Sequence, residues 1–299
     1  MLKFEGWIEN GGGNVEIMTA KAKRQDGEFP VSEYQSLPPL PNPKHSNKRI
    51  AAVLPTLLLA IAMVFALIVV FPRATSTPSQ QMTSSNWSGY CVVSDLNTPQ
   101  PQVTNVSASW AVPAVDVSIG NSYSAAWIGV GGQYDKTLIQ VGTEQDSISG
   151  RATFSAWYEL LPRYAVTIDS LSISPGDKIT ASISLSDRAT NTWLIEICDV
   201  TDGLSFKKSL IYASSMLSAE WIVEAPTLVN RIATLANFGQ ITFTDCKATI
   251  GSETGTISSF PSNQITLNSR QNITLMTVST FTSEESSFTV SYEGWRIMA

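Results

Sequence analysis

Histidine is almost missing from this chain. The single imidazole, His45, lies in a Pro-rich polar stretch ahead of a long apolar run, and none follows. Ser-His-Asp and Cys-His catalysis and a His-ligated zinc site are therefore excluded from everything after that run. Cysteine is scarce as well: Cys91, Cys198 and Cys246 are widely spaced and match no metal-ligand pattern. Three thiols allow at most one intramolecular disulfide, whose pairing the sequence does not give. Charge is low, at 15% of residues, and unevenly signed. Residues 1–49 carry seven Lys/Arg against six Asp/Glu, whereas residues 74–299 carry eleven against nineteen. So acidic a surface repels phosphate backbones, and nucleic acid is not an expected partner. Hydrolytic chemistry here must rest on carboxylates, amides, hydroxyls or lysines, with neither metal nor cofactor expected.

The one long hydrophobic run is Ile50 to Phe71, 22 residues without a charge. As a helix it spans about 33 Å, against a hydrocarbon core of roughly 30 Å. Residues 50–72 are expected to be a transmembrane signal-anchor helix. Lys44, Lys48 and Arg49 precede it and Arg73 alone follows closely, which keeps the N-terminus cytosolic and the C-terminal part outside the cell. A cleaved signal peptide is the rival reading, disfavoured because the run exceeds the usual signal core of about 7–15 residues. Residues 1–49, with a Gly run and Leu37-Pro38-Pro39-Leu40-Pro41, are expected to be a disordered tail. Residues 73–83, rich in Ser, Thr, Pro and Gln, are expected to be a linker.

From residue 84 to 299 short runs of β-branched and aromatic residues alternate with polar ones and are broken by Gly, Pro, Asn and Asp. Val103–Val112, Ala165–Ile173, Lys178–Leu185, Ile241–Ile250 and Phe288–Arg296 are expected strands. No helical period of useful length appears. The expectation is one all-β domain, an antiparallel β-sandwich of concanavalin or jelly-roll type, acting as a monomer.

The run Ser218-Ala219-Glu220-Trp221-Ile222-Val223-Glu224 puts Glu220, Ile222 and Glu224 on one strand face and Ala219, Trp221 and Val223 on the other. Three more segments share this parity. Trp127, Gly129 and Gly131 oppose Ile128 and Val130. Gln140 and Gly142 oppose Ile139 and Val141. Trp157 and Glu159 oppose Tyr158 and Leu160. Side by side in one sheet, such strands make a cleft with aromatic walls, a floor of small residues and convergent polar groups.

These segments also carry a resemblance. Ser85-Asn86-Trp87-Ser88-Gly89, Trp110-Ala111-Val112-Pro113, Trp127-Ile128-Gly129-Val130, Ile139-Gln140-Val141-Gly142, Trp157-Tyr158-Glu159, Glu220-Trp221-Ile222-Val223-Glu224 and Phe238-Gly239-Gln240 stand in the order seen in the glutamic peptidases, or eqolisins. The resemblance covers residues 84–299. It implies a two-sheet sandwich and an endopeptidase whose catalytic pair, a Gln and a Glu, falls on Gln140 and Glu224. Where fungal members carry an Asp after Trp-x-Gly-x, this chain has Gly131, which puts a fungal-like acid optimum in doubt.

The chemistry fits that pair. A carboxylate can deprotonate a water attacking a peptide carbonyl and return the proton to the leaving nitrogen, while a side-chain amide donates to the oxyanion. Peptide or unfolded protein is thus the expected substrate. Glu220 and Glu224 cannot form an aspartic-protease-like dyad, being roughly 13 Å apart on one strand where proton sharing needs about 3 Å. Trp127 and Trp157 are expected as cleft walls, Glu159 as a group orienting water or substrate, and Glu220 as a supporting or substrate-touching group. The alternative is a non-catalytic, lectin-like module stacking sugars on the same aromatics. A glycosidase pairing Glu159 with Glu224 is a lesser one.

Overall fold

The computed structural model describes residues 79–228, 231–280 and 286–294. The expected tail and membrane helix, and the first part of the linker, fall outside them. Among the described residues no helix is long and apolar enough to cross a membrane. Strands dominate, with two short 3-10 turns at Val117–Ile119 and Ile257–Ser259.

In chain order the strands begin with β1 (Ser79–Ser84), β2 (Trp87–Val93), β3 (Val103–Ala111), β4 (Ala125–Gly131), β5 (Leu138–Ile148) and β6 (Arg151–Leu160). A brief β7 (Val166–Thr167) precedes β8 (Lys178–Asp187), β9 (Thr192–Asp199), β10 (Leu204–Ile211) and β11 (Ser218–Glu224). β12 (Thr227–Leu228) and β13 (Arg231–Ile232) form a small ribbon of their own. β14 (Gln240–Ile250), β15 (Glu253–Thr256), β16 (Ser262–Asn268), β17 (Thr274–Val278) and β18 (Phe288–Tyr292) complete the set.

They form the expected sandwich. The front layer runs β18-β17-β16-β2-β11-β4-β5-β6-β7 and the back layer β10-β9-β8-β3-β14. Neighbours along both layers are antiparallel, and β1 adds to β16 in parallel. The layers are joined by β14, whose first half pairs with β18 and whose second half pairs with β3. Its register shifts between Thr244 and Lys247, where Asp245 adopts a φ of 54°. A residue in that left-handed region bends the strand, which lets it leave one sheet and enter the other.

Alternation sets the core. Val106, Ala108 and Trp110 of β3, Ile179 and Ile183 of β8, and Trp193, Ile195 and Ile197 of β9 face inward and meet Ile128, Val141, Tyr158 and Trp221 of the front layer. Two indoles bridge the layers: Trp221 Nε1 donates to Ser107 O at 2.9 Å, and Trp110 Nε1 to Thr143 Oγ1 at 3.1 Å. Each indole thereby buries its ring without leaving an N–H unpaired. A second, smaller apolar cluster of Cys91, Trp127, Leu138, Trp157, Ile222 and Ile265 lies on the opposite face of the front sheet. That face carries the site.

One expected strand is not there. Of Ala165–Ile173 only Val166–Thr167 pairs, and the rest forms a turn in which Leu171 N donates to Ile168 O. Ile168, Leu171 and Ile173 are buried by a loop rather than by a pleat, which reproduces an apolar pattern without a ladder. The three cysteines are free thiols.

Candidate active site

The register of the front sheet aligns three rows across its outer face. One row reads Glu159, Gln140, Gly129, Glu220, Cys91, Asn263. The next reads Trp157, Gly142, Trp127, Ile222, Gly89, Ile265. The third reads Ser155, Glu144, Ala125, Glu224, Trp87. Glycines fill the gaps: a Cβ on Gly142 would stand 2.3 Å from Ala126 O and 2.5 Å from Trp127 Cβ, and one on Gly129 would stand 2.9 Å from Cζ3 of the Trp127 ring, so the glycine at 129 leaves that ring its room on the sheet.

Glu224, at the end of β11, is half-buried. Its Oε2 accepts from Trp127 Nε1 at 2.9 Å and its Oε1 from Asn86 Nδ2 at 2.9 Å. Asn86 is itself oriented by Ser84, whose Oγ donates to Asn86 Oδ1 at 3.3 Å. Trp87 packs edge-on against Trp127, ring centroids 5.0 Å apart, and so covers that carboxylate's support. Burial pushes the Glu224 carboxyl up to about 7, against the opposing pull of the hydrogen bonds from Trp127, Asn86 and Trp87. Such a group changes charge near neutrality, as a general base and acid must.

Gln140 is 4% exposed, and its Nε2 donates to Glu159 Oε2. That bond orients the amide, with Nε2 toward the Glu159 carboxyl. It uses one of two N–H bonds and leaves the other for a ligand. Gln140 Oε1 and Trp157 Nε1 are buried without a partner. Burial raises the Glu159 carboxyl above the usual range, with the Gln140 bond opposing. Glu144 is also raised by burial, and the nearby Asp146, buried and beside Glu144, is pushed up to about 7.

Gln140, Glu144, Trp157, Glu159 and Glu224 line one groove of about 440 Å³, with Asn86 and Trp87 at one side and Leu161, Tyr164, Pro226 and Leu228 along the rim. Four of the sequence-expected residues thus share one groove: Gln140, Glu224, Trp157 and Glu159. Two expectations are corrected. Trp127 is not a wall: it is fully buried and holds Glu224 from below. Glu220 does not reach the groove at all. It is fully buried, with Cys91 Sγ 3.9 Å from its Oε1, because β11 is a central strand covered there by neighbouring side chains. Burial holds its carboxyl well above the usual range. Sequence reasoning assigned no part to Asn86, Trp87 or Glu144. The parity that singled out Gln140 and Gly142 extends two residues further to Glu144, and Asn86-Trp87 stood within a quoted motif.

A groove of similar size, about 450 Å³, lies on the back layer. It is lined mainly by Ser, Thr and Ala with the Lys207–Glu196 ion pair at 2.6 Å, and it lacks any pairing of an amide with a buried carboxylate. Among the described residues, the acidic and thiol side chains close enough to share a metal ion are Asp177, Asp199 and Asp202, which lie outside the front groove.

Residues 85–292 match the sequence pattern of the Peptidase A4 family, and the chain belongs to that family. Aspergillopepsin-2 of Aspergillus niger is 28% identical over 195 residues, covering 57% of this chain and 66%, just under two thirds, of that protein. Scytalidopepsin B of Scytalidium lignicola is 29% identical over 210 residues, 65% of this chain and 75% of its own. The crystal structure of scytalido-glutamic peptidase with a transition state analog inhibitor superposes with a TM-score of 0.59, at 23% identity over 70% of this chain and 99% of that one. Aspergilloglutamic peptidase from Aspergillus niger gives a TM-score of 0.51 at 26% identity, over 57% of this chain and 99% of that one.

Proposed function

We propose that this protein cleaves peptide bonds with Glu224 and Gln140 as its catalytic pair. Glu224, as carboxylate, takes a proton from the water that adds to the scissile carbonyl. The oxyanion that forms accepts the free N–H of Gln140 Nε2. Glu224 then gives its proton to the departing amide nitrogen, and the C–N bond breaks. Asn86 and Trp127 hold the base, and Glu159 orients the amide. The substrate is an extended peptide lying in the groove, with Trp157 beneath it and Tyr164 at the rim.

The observation that carries this reading is the shared groove: a fixed amide and a carboxyl titrating near 7 line the same 440 Å³ space. The lectin-like alternative is weaker because Trp127 is fully buried and Trp157 only 6% exposed, which leaves little ring face for a sugar. We also propose that residues 50–72 anchor the chain in a membrane with the sandwich outside, on the strength of their length and the flanking charges.

The test is cleavage of an unfolded protein by the full-length chain between about pH 3 and 8. Removing an oxyanion donor costs typically about 100- to 1,000-fold in turnover, and removing a general acid-base about 100- to 10,000-fold. Gln140→Ala and Glu224→Gln are expected to lose activity on those scales. Cleavage at the wild-type rate in both variants rejects the pair.

A further inference from the structure

We propose that the back layer holds a structural calcium-type cation, bound by Asp177, Asp199 and Asp202. A carboxylate oxygen from each lies within 4.8 Å of the others. They come from two turns at the same end of the sheet: Asp177 closes the turn into β8, and Asp199 and Asp202 flank the turn from β9 to β10. The β8–β9 ladder sets Ile179 opposite Asp199, and Val200 N donates to Lys178 O, so the two turns are hydrogen-bonded neighbours.

Two further observations separate this cluster from ordinary exposed acids. Asp199 is fully buried, and although its Oδ1 accepts from Thr201 N at 2.8 Å, its Oδ2 has no partner. A buried carboxylate oxygen with nothing to accept from costs free energy unless something positive supplies the missing interaction. The neighbouring carboxylates cannot: Asp177, also buried, already uses Oδ2 to accept from Ser174 N at 2.6 Å. Nor does a basic side chain, since the ion pair recorded among the described residues joins Lys207 to Glu196. Three acids that converge on one point without a counter-charge match a cation.

The donors on offer are all oxygens, which selects a hard ion and disfavours zinc or copper. Carboxylates drawn from two loops tolerate the larger, variable coordination shell of Ca²⁺ better than the strict octahedron of Mg²⁺. Asp177 also ties to β3, because its carbonyl accepts from Val112 N and Gly176 N donates to Val112 O. A cation here fastens the ends of β3, β8 and β9 together. It takes no part in the front groove.

The experiment uses the full-length chain stripped with EDTA and returned to metal-free buffer, titrated with CaCl₂ or MgCl₂ by calorimetry and followed by thermal unfolding. One Ca²⁺ per chain is expected, at least tenfold tighter than Mg²⁺, with an unfolding midpoint that climbs with the logarithm of Ca²⁺ concentration. Asp202→Asn, an exposed substitution that relieves repulsion among the three acids, is expected to weaken Ca²⁺ binding at least tenfold without lowering the metal-free midpoint. Asp177→Asn tests the buried side of the site. Absence of binding heat and midpoint shift overturns the proposal, as does equal binding of both ions. A Ca²⁺ shift retained in full by Asp202→Asn also overturns it, because the ion then sits elsewhere.

Discussion

Trp127 reaches from β4 to place its Nε1 2.9 Å from Glu224 Oε2 on β11, although the residue paired with Trp127 in the ladder is Ile222. The ring lies on the sheet with Cζ3 against the space left by Gly129, and its Nε1 makes an otherwise apolar residue the support of the proposed base. Trp127→Phe keeps most of the packing and deletes that one donor. Its bond lowers the Glu224 pKa, so its loss is expected to move the acid limb of kcat/KM to higher pH and to reduce kcat more than it raises KM. A pH profile that stays in place contradicts the assignment. The expected cost to stability is about 1.5–3 kcal/mol, as for a hydrogen bond to a charged group.

With Glu224 pushed up to about 7, the free enzyme carries its base protonated in acid. The kcat/KM of the wild type is therefore expected to rise with pH through about 7, closer to neutrality than the acid optimum that a fungal-type site would suggest. A maximum below pH 4 would show that a bound substrate or another group sets the limb.

Stability is expected to run the other way. Glu224 and Asp146 both have folded values raised to about 7, above their ordinary 4.5 and 3.8. Their protonated forms are favoured in the fold, so that contribution is complete below about pH 4 and disappears as pH climbs through 7. Glu144, Glu159 and Glu220 shift in the same direction. The urea midpoint is expected to be higher at pH 5 than at pH 8, and Glu224→Gln to flatten that difference. A midpoint that increases over this range goes against the burial assigned to these carboxyls.

The two glutamates of β11 are expected to separate cleanly. Glu220→Gln replaces a buried carboxyl that lies outside the groove by a near-isostere and is expected to retain cleavage within a few-fold. Glu224→Gln is not. Parallel assays of the two variants, with circular dichroism to confirm folding, decide which carboxyl acts.

In the proposed mechanism Glu159, which accepts from Gln140 Nε2, positions that amide. Glu159→Ala is expected to lower kcat about 10- to 100-fold, the scale of losing an outer-shell partner, with little change in KM. Glu159→Gln retains an acceptor for Gln140 Nε2 and is expected to recover part of the loss. Equal defects in both would mean that the charge, not the hydrogen bond, matters.

Parity made much of this legible in the sequence. Trp127, Gln140, Trp157, Glu159 and Glu224 were all assigned to one face, and all lie on it, because a period of two follows from the pleat alone. Parity does not say how far along a strand the solvent reaches. That is why Glu220, on the same face as Glu224, is sealed beside Cys91 and Gly129, while four residues on its neighbour opens to a groove. Nor does it reveal partners distant in the chain. Asn86 meets Glu224 across 138 residues of sequence through the β2–β11 pairing, which only the register discloses. The missing strand at Ala165–Ile173 has a similar cause: buried residues recur at short intervals in a loop as well as in a ladder.

The bend at Asp245 has a mechanical consequence. Because β14 is hydrogen-bonded into the front layer through Gln240–Phe243 and into the back layer through Thr244–Ile250, neither sheet can peel away while the other stays whole. Heat or denaturant should meet a single cooperative block, and damage far from the groove, on the rear strands, will be felt as slackening of the front groove's floor.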